Sequence, residues 1–336
     1  MIRDKLNNGR RMRIERYSTV KDTSPLVSIC CITYNHQHFI RQSLEGFLMQ
    51  ETSFRVEILI HDDASTDGTA GIIKEYENRY PGLFRVVYQV ENQFSKGANP
   101  DLTLIGMATG EYIALCEGDD YWTDPDKLQK QVSFLEQNSG YSACFGGFTR
   151  LNEHDGHKQT SLRTLKDNDP SEGFAFTLEE MKQGWYTKTL TAVFRKKAIE
   201  KVDFSVYNNY RDIHLYYHLI KNSRAWYFRT NFGVYRIHSG GINSMMHGRI
   251  NANAAYDCYR ELYLVNRDEF TRQMCFYSTV SLFNYNLYNR YSRNTLRVNL
   301  RLYYEAFRLF SGFRELRIMI YSFIKRELKD YIKYHI

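Results

Sequence analysis

The chain has 336 residues, of which 43% are hydrophobic and 25% are charged, and its formal net charge is +7. This length and apolar content suffice for one large or two smaller folded domains, and the presence of only 5 prolines argues against long disordered stretches. None of the 6 cysteines stands in a CxxC or other metal-ligand spacing, which excludes a cysteine-based metal module and indicates a reduced, cytosolic compartment.

In the first half of the chain, apolar runs typical of buried strands alternate with segments of helical periodicity. The predicted strands are 27–33, 56–62, 84–90 and 111–116, and the predicted helices are 38–50, 66–80, 101–109 and 124–137. The last helix has Asp124 as its expected N-cap and Pro125 at its first position. This alternation predicts an α/β fold with a mostly parallel sheet and helices on both faces.

The second half of the chain lacks this alternation. Residues 150–176 are polar and predict a surface loop, and a helix over 177–184 is expected to begin with a Thr177/Glu180 capping box. The other predicted elements are a strand over 189–194, a helix over 211–222, and strands over 225–228 and 232–237. From about residue 250 onward the pattern is helical, aromatic and basic.

These patterns divide the chain into three predicted regions: a basic N-terminal extension (1–24), an α/β domain (25–248, with halves 25–150 and 151–248) and a helical C-terminal region (249–336). The extension is followed by no apolar stretch, so we expect neither a signal peptide nor an anchor. No window of eighteen apolar residues occurs, so no spanning helix is expected.

Acidic and polar clusters follow three of the predicted strands. TYNHQ comes after the first strand, HDDASTDGT after the second and CEGDDYW after the fourth. Ligands of open α/β sheets bind beyond the carboxyl ends of the strands, so these clusters are expected to converge. Gathered carboxylates repel one another, and Mg²⁺ or Mn²⁺ with a substrate diphosphate would relieve that repulsion. A single acidic turn would more simply cap the next helix, but three clusters favour the metal interpretation.

Several other kinds of site are excluded by their missing motifs. No GxGxxG follows the first strand, and the chain contains no GxxxxGK[ST], GxSxG or HExxH. His36 and His38 lie close to the end of the first strand, but no further His or Cys stands at ligand spacing. We therefore expect both to face solvent or to have a structural role.

With these residues in view, the chain resembles the GT-A glycosyltransferases of family 2, which are inverting enzymes that use nucleotide sugars. The stretches that carry the resemblance are PLVSICCITYNHQHFIRQSLEGFLMQ, VEILIHDDASTDGT, ATGEYIALCEGDDYWTDPDKLQKQV, RDIHLYYHLI and GVYRIHSGG. The first three cover about residues 25–150 and are specific in combination, whereas the last two are looser and extend the match to about 243. The resemblance implies a GT-A fold and makes 25–248 the catalytic domain, with a nucleotide-binding half (25–150) and an acceptor half (151–248).

The resemblance also implies roles for residues after the first two strands. Thr33 and Tyr34, with Asn35 beside them, lie where the family's first loop meets the nucleobase. Asp63 matches the acid that hydrogen-bonds the base, and Asp62 is its close rival.

In the third cluster, Asp119 and Asp120 match the end of the family's DxD-type motif. The resemblance implies that Asp119 contacts the ribose side, while Asp120, with help from Asp119, coordinates Mn²⁺ or Mg²⁺. Glu117 stands where the family usually has an Asp, with the same charge and a longer reach. Trp122 would either pack beside the sugar pocket or belong to the core.

Two later stretches complete the predicted site. Asp212 lies at the position of the family's catalytic base, although an N-cap role for its helix is also physically sound. Arg236 and His238 match a late loop that often closes over the diphosphate, and a structural role at the strand end is the alternative.

The expected activity is transfer of one sugar from a nucleoside-diphosphate sugar, with uracil as the commoner base, to a glycan or lipid-linked acceptor in cell-surface polysaccharide biosynthesis. The family's processive synthases carry a QxxRW motif and membrane spans, and this chain has neither. A nucleotidyltransferase acting on sugar phosphates and a non-catalytic nucleotide-sugar-binding module are the alternatives.

The C-terminal segment 301–333 mixes aromatic and aliphatic residues with Arg and Lys. From residue 290 onward eleven basic and four acidic residues differ by seven, which equals the whole net charge. One helical face can be lined by Leu309, Phe313, Leu316, Ile320 and Ile324. Such a face fits either a helix at a bilayer interface, with the protein peripheral on the inner face of the membrane, or a helical subdomain packed on the remaining chain. No nucleic-acid-binding module is recognisable in it, so we expect no nucleic-acid partner.

Overall fold

A mixed β-sheet forms the centre of the computed structural model, which describes residues 11–19, 24–162, 171–182, 186–241, 248–288, 293–312 and 315–318. The chain divides into two units, one made of 1–202 and 215–238 and the other of 203–214 and 239–336. The sheet lies in the first unit, and the second unit is helical.

The first half of the chain has the expected alternation of strands and helices. Its strands are β1 (Met12–Arg13), β2 (Val27–Thr33), β3 (Glu51–Thr52), β4 (Val56–Asp62), β5 (Phe84–Tyr88), β6 (Tyr112–Leu115) and β7 (Tyr121–Trp122). Its helices are α1 (Ile40–Leu48), α2 (Thr69–Arg79), α3 (Pro100–Met107) and α4 (Lys127–Gln137). Strands β2 and β4 match their predicted bounds, and nearly every residue of both is buried, as expected of strands that are covered on both faces.

The second half of the first unit adds five strands to the sheet. They are β8 (Tyr141–Asn152), β9 (Lys158–Ser161), β10 (Gly173–Phe176), β11 (Val193–Arg195) and β12 (Arg224–Ile237). The short helix α5 (Leu178–Met181) begins with the predicted capping box of Thr177 and Glu180. A further helix, α6 (Asp212–Ile220), crosses from the second unit into the first.

Ten strands form the sheet in the order β10-β12-β8-β11-β6-β2-β4-β5, with β7 paired to β12 and β9 to β8. The pairs β6–β2, β2–β4, β4–β5 and β12–β8 are parallel, whereas β11, β10, β7 and β9 pair antiparallel with their neighbours. Thr33 is opposite Asp62 in the register of β2 and β4, so the polar loops after these strands begin side by side. The parallel group β6-β2-β4-β5 therefore carries the predicted loop clusters, and the antiparallel strand β11 joins it to β8 and the strands beyond.

Three predictions on local structure were wrong. Residues 150–176 are not one loop, because β8 runs to Asn152 and β9 and β10 follow. The two strands expected over 225–237 are one strand, β12, with irregularities near Phe228 and Asn231. Asp124 is not the N-cap of α4, since that helix begins at Lys127 after Asp126, and the Asp124 carboxylate instead accepts a hydrogen bond from the Asp126 backbone N–H (2.8 Å).

The second unit consists mainly of three helices, α7 (Gly248–Asn266), α8 (Glu269–Tyr288) and α9 (Arg293–Leu309), within the described residues. Its buried side chains include Phe276, Val280 and Leu309. Leu309 therefore packs inside the unit rather than lining an outer face, whereas Phe313, Ile320 and Ile324 lie outside the described residues. None of the described helices is both long and apolar enough to cross a bilayer.

Candidate functional site

Backbone and side-chain hydrogen bonds join the loops that follow β2, β4 and β6. The Asp63 N–H donates to Thr33 O (2.9 Å), and the Gly118 N–H donates to Ile32 O (2.9 Å). Asn35, at a φ of 55°, links the first two loops because its Oδ1 accepts from the Thr66 N–H (2.8 Å). The expected convergence of the three clusters at one edge of the sheet is thus present in the fold.

Gly118 allows the acidic turn to approach β2 closely. A Cβ at this position would lie 2.6 Å from Thr33 Oγ1 and 2.8 Å from Thr33 Cβ. These distances are well inside van der Waals contact, so any larger residue would push the turn away from the strand. The lack of space for a Cβ therefore explains why a glycine stands between Glu117 and Asp119.

Two acids of this turn each have a buried carboxylate oxygen with no hydrogen-bond partner among the described residues, and the charge of Lys188 acts on both. Asp120 is 1% exposed; its Oδ1 accepts from the Arg236 backbone N–H (2.8 Å), and its Oδ2 has no hydrogen-bond partner within the described part of the chain. Burial raises the pKa of Asp120 well above its usual value, and the charges of Asp119 and Glu117 add to the rise. Burial likewise raises the pKa of Glu117 to about 7, although Lys188 opposes the change. A nearby cation would favour the ionised form of both.

Asp119 lies between two histidines from distant parts of the chain. Its Oδ2 is 3.1 Å from His238 Nε2 and 3.8 Å from His36 Nε2. Burial acts to raise the pKa of Asp119, but the hydrogen bond from His238 and the charge of His36 outweigh it, so the pKa is lowered. The other ring nitrogen of His36, Nδ1, is 3.1 Å from Thr33 Oγ1, which orients the imidazole.

These three side chains fit a divalent cation. One ligand atom from each of His36, Asp119 and His238 can lie within 4.8 Å of the other two. Mg²⁺ prefers oxygen ligands only, whereas imidazole nitrogen suits transition metals, so this donor set favours Mn²⁺ over Mg²⁺. The arrangement points to Asp119, rather than the more deeply buried Asp120, as the carboxylate that faces the cation.

His36 is the residue whose position the sequence interpretation missed. Its side chain is 14% exposed and borders the acidic turn, which does not agree with the first of the two expected alternatives, facing solvent, and leaves the second, a structural role, open. The available signal was its place three residues beyond β2, at the edge where the three clusters meet. The sequence spacing of ligands did not reveal it, because Asp119 and His238 are 119 residues apart.

The residues predicted to meet the nucleobase differ in their accessibility. Tyr34 is 42% exposed and open to a ligand, whereas Thr33 is buried and contacts His36. Both carboxylate oxygens of Asp63 accept backbone N–H groups, from Gln93 (2.7 Å) and Phe94 (3.0 Å). Asp63 therefore also anchors the segment that follows β5.

Asp62 is buried next to Asp63 and accepts a hydrogen bond from Ser65 Oγ. Burial raises its pKa despite that bond.

Trp122 belongs to the core, which was the alternative to a place beside the sugar pocket. It is 1% exposed, its indole N–H donates to Leu190 O (2.7 Å), and its ring packs edge-on against Phe47 at 4.9 Å between centroids. A side chain so enclosed has no surface to offer a sugar.

The guanidinium of Arg236 donates its hydrogen bonds to groups within the protein. Its Nε donates to Glu153 Oε1 (2.7 Å), its Nη1 to Asp119 O (2.5 Å) and its Nη2 to Gln42 Oε1. Its side chain is 4% exposed. The expectation that Arg236 closes over a diphosphate does not agree with these contacts, whereas the structural alternative does.

Comparison with known proteins agrees with the resemblance. The model of the family described as "Glycosyl transferase family 2" matches residues 28–203, more than half of the chain. The chain belongs to glycosyl transferase family 2. Its fold is shared with Staphylococcus aureus TarS (residues 1–349, solved with UDP-GlcNAc), at a TM-score of 0.63 and 14% identity over 91% of each chain. The predicted GT-A class of α/β fold is confirmed.

The similar curated proteins match this family 2 chain over a limited part of their length. An uncharacterized protein of Mycobacterium tuberculosis is 46% identical over 139 residues, which are 41% of this chain and 39% of that protein. The Escherichia coli protein WfaP, named as a UDP-Glc:alpha-D-GlcNAc-diphosphoundecaprenol beta-1,3-glucosyltransferase, is 36% identical over 112 residues, 33% of this chain and 41% of that protein. The chain thus spans less than half of the length of these relatives.

Asp212, the family 2 candidate for the catalytic base, is the first residue of α6 and lies in the second unit. Within that unit, burial and then the Asp212 carboxylate raise the pKa of Tyr259. Arg211, which precedes it, donates its backbone N–H to His214 Nδ1 (3.0 Å). The catalytic role of Asp212 stays a prediction.

Proposed function

We propose that this family 2 protein is a metal-dependent, inverting glycosyltransferase that moves one sugar from a nucleoside-diphosphate sugar to a hydroxyl group. The observation that carries the proposal is the meeting of Asp119, His36 and His238 beside the buried acids Glu117 and Asp120. A histidine–carboxylate cation site at the carboxyl edge of parallel strands suits a nucleoside diphosphate better than a solvated turn does.

The loops after β2 and β4 would hold the nucleoside. Tyr34 offers an exposed ring for the base. The two loops are joined by the Thr66 N–H, which donates to Asn35 Oδ1, and by the Asp63 N–H, which donates to Thr33 O. Uracil is the proposed base, and the donor in the name of WfaP, UDP-Glc, supports it.

In this proposal Asp119, His238 and His36 hold Mn²⁺. The cation would supply Lewis-acid stabilisation of the negative charge that develops on the departing diphosphate. Asp120, whose Oδ2 has no partner within the described chain, and Glu117 belong to the same acidic turn, and the cation would favour the ionised form of both despite their raised pKa values. Asp119 would remain ionised near neutral pH, because its pKa is lowered despite its burial.

The reaction would be one direct displacement. The acceptor hydroxyl oxygen forms a bond to the anomeric carbon while the bond from that carbon to the diphosphate oxygen breaks, which inverts the configuration. Asp212 takes the proton of the attacking hydroxyl, a contribution typically of about 10²–10⁴ in rate. The nucleoside diphosphate leaves with the electron pair of the broken bond.

The proposed acceptor is a lipid-linked sugar of cell-surface polysaccharide assembly. The name of WfaP specifies a diphosphoundecaprenol-linked acceptor, and that protein is 36% identical to this chain over the matched segment.

Binding and turnover experiments together test this function. Titration of the protein with UDP, with and without Mn²⁺, is expected to show binding that Mn²⁺ strengthens and that Asp119→Asn uncouples from Mn²⁺. Incubation with UDP-glucose, UDP-GlcNAc and UDP-galactose is expected to release UDP slowly by hydrolysis. Binding without any UDP release would favour the non-catalytic module, and pyrophosphate release from UTP and a sugar phosphate would favour a nucleotidyltransferase.

We also propose that α9 contacts the anionic inner face of a membrane. Four large side chains on this helix, spaced as i, i+3, i+4 and i+7, are 40–62% exposed: Leu300, Tyr303, Tyr304 and Phe307. The exposed Arg301 and Arg308 flank them. Aromatic residues with flanking basic residues suit a bilayer interface, where each Arg or Lys adds about 1 kcal/mol near anionic lipid.

Sedimentation with vesicles tests the membrane contact. Vesicles with 30% phosphatidylglycerol are expected to bind the protein, whereas pure phosphatidylcholine vesicles bind it weakly. The double variant Tyr304→Ser, Phe307→Ser should lose binding, while Leu264→Ser, which changes an exposed residue of α7, should retain it. Equal binding by both variants would contradict the proposal.

A further inference from the structure

Arg236 joins four segments of the first unit through one side chain. Its guanidinium donates to Gln42 on α1, to Glu153 just beyond β8 and to the carbonyl oxygen of Asp119 before β7. Arg236 itself stands one residue before the end of β12. No two of these segments are consecutive in the chain, so the contacts fix their relative positions.

Two aromatic rings hold the same guanidinium. Its central carbon lies 4.4 Å from the centroid of Tyr121 and 5.1 Å from that of Phe39. Phe39 also packs against the imidazole of His238, at 4.5 Å between ring centroids. The guanidinium therefore touches the residue that follows the acidic turn as well as the ring that supports one of the proposed metal ligands.

The backbone of Arg236 adds a further contact. Its N–H donates to Asp120 Oδ1 (2.8 Å), so backbone and side chain together bind two successive residues of the acidic turn. His238 follows two residues later on the same chain. The contacts of Arg236 therefore hold the acidic turn next to the end of β12, where Asp119 Oδ2 and His238 Nε2 are 3.1 Å apart.

We propose that Arg236 is a positioning residue for the metal site, and that it acts without touching the nucleotide. This inference rests on the proposed function, which places the metal on Asp119, His238 and His36. Ion pairing with Glu153 compensates the buried charge of Arg236 from the side away from the acidic turn. Loss of the Arg236 contacts with Gln42, Glu153 and Asp119, here called the Arg236 clamp, should therefore weaken metal binding. Nucleotide contacts that do not involve the metal should stay intact.

The experiment measures the UDP dissociation constant by calorimetry twice for each variant, once in EDTA and once at the Mn²⁺ concentration that half-saturates the parent protein, where a loss of Mn²⁺ affinity lowers the gain in UDP affinity. The ratio of the two values is the Mn²⁺ gain. Because partners that orient metal ligands typically contribute 10–100-fold to metal affinity, Arg236→Lys should lower the affinity for Mn²⁺ by about that factor. The dissociation constant in EDTA should change less than about twofold.

Glu153→Gln provides a milder variant, because it removes the ion pair without changing any residue of the acidic turn. It should lower the Mn²⁺ affinity in the same direction by a smaller factor, and its circular dichroism should match that of the parent protein. Arg229→Lys is the matched control on β12, where the guanidinium donates to Ser171 O (3.1 Å), and it should leave both dissociation constants unchanged.

Two results would overturn the inference. Equal loss of UDP affinity in EDTA and in Mn²⁺ for Arg236→Lys would mean that the guanidinium contacts the diphosphate. An unchanged Mn²⁺ gain in both Arg236→Lys and Glu153→Gln would mean that the clamp does not position the metal. The proposed function has a separate test in Asp119→Asn. If this variant kept the Mn²⁺ gain of the parent protein, Asp119 would not be a metal ligand, and both the proposed metal site and this inference would be wrong.

Discussion

Replacing Lys127 by methionine should make the first unit more stable at neutral pH. Lys127 is fully buried, its Nζ has no hydrogen-bond partner in the described part of the chain, and that atom lies 4.1 Å from the centroid of the Trp122 ring. Burial lowers the pKa of the Lys127 amine from 10.5 to about 7. A methionine has a similar length and leaves no buried amine to be protonated.

The sign and size of the effect follow from proton linkage. Between pH 7 and 10.5 the unfolded chain keeps the Lys127 proton and the native protein has lost it, so unfolding takes up a proton and stability rises with pH. The difference of 10.5 − 7 = 3.5 units corresponds to about 5 kcal/mol in total. Between pH 7.5 and 9.5 the gain is about 2.5 kcal/mol for the parent protein, and none is expected from this position in Lys127→Met.

Urea unfolding followed by tryptophan fluorescence measures this effect, because Trp122 and Trp226 lie in the first unit and Trp122 contacts Lys127 directly. The stability advantage of Lys127→Met should shrink by about 2.5 kcal/mol from pH 7.5 to 9.5. Lys130→Met is the control on the same helix, since Lys130 is 41% exposed and pairs with Asp124 at 2.7 Å, and its stability difference should not vary with pH. Parallel stability curves for the parent and Lys127→Met would refute the reasoning.

Three further changes have defined outcomes. The Glu57 carboxylate accepts from Ser28 Oγ (2.6 Å) and from the Thr109 N–H (2.7 Å), so Glu57→Gln should destabilise the protein by about 2–3 kcal/mol in urea at pH 7. Although burial acts to raise the pKa of Glu57, these bonds lower it, so the deficit should shrink as pH falls through that lowered pKa. Gly118→Ala should lower both Tm and UDP affinity, and normal UDP affinity would show that the turn tolerates a Cβ. Thr177→Ala should lower the urea-derived free energy by about 1 kcal/mol, whereas Thr177→Ser should be nearly neutral.

The parallel part of the sheet was predictable, and the polar edge strands were not. The buried strands β2 and β4 each contain a run of apolar residues, 29–32 and 58–60, so composition indicates where they lie. Three of the four residues of β9 are exposed, and β9 is a strand because its backbone pairs with β8. A hydrophobicity pattern does not detect backbone pairing, so the sequence did not predict this strand. The register shifts within β12 interrupt its apolar pattern, so the sequence predicted two short strands where the structure has one long strand.

At the site, the sequence predicted which strand ends meet but not which side chains face one another. Adjacent acids such as Asp119 and Asp120 look equivalent in sequence, yet one meets two imidazoles and the other receives a backbone N–H. The difference depends on how the turn is docked, and Arg236 does that docking from more than a hundred positions away. Long-range contacts of this kind leave no local pattern.

The separation of His36, Asp119 and His238 along the chain has a consequence for the order of folding. Contacts between distant residues form only after the intervening loops have closed, and 119 residues separate the last two of these side chains. The early strands can pair before β12 arrives, so the acidic turn would exist first without its second imidazole. Uptake of Mn²⁺ during refolding would then report the arrival of β12, and it should coincide with the burial of Trp122, because Trp122 pairs with Gly233 of that strand.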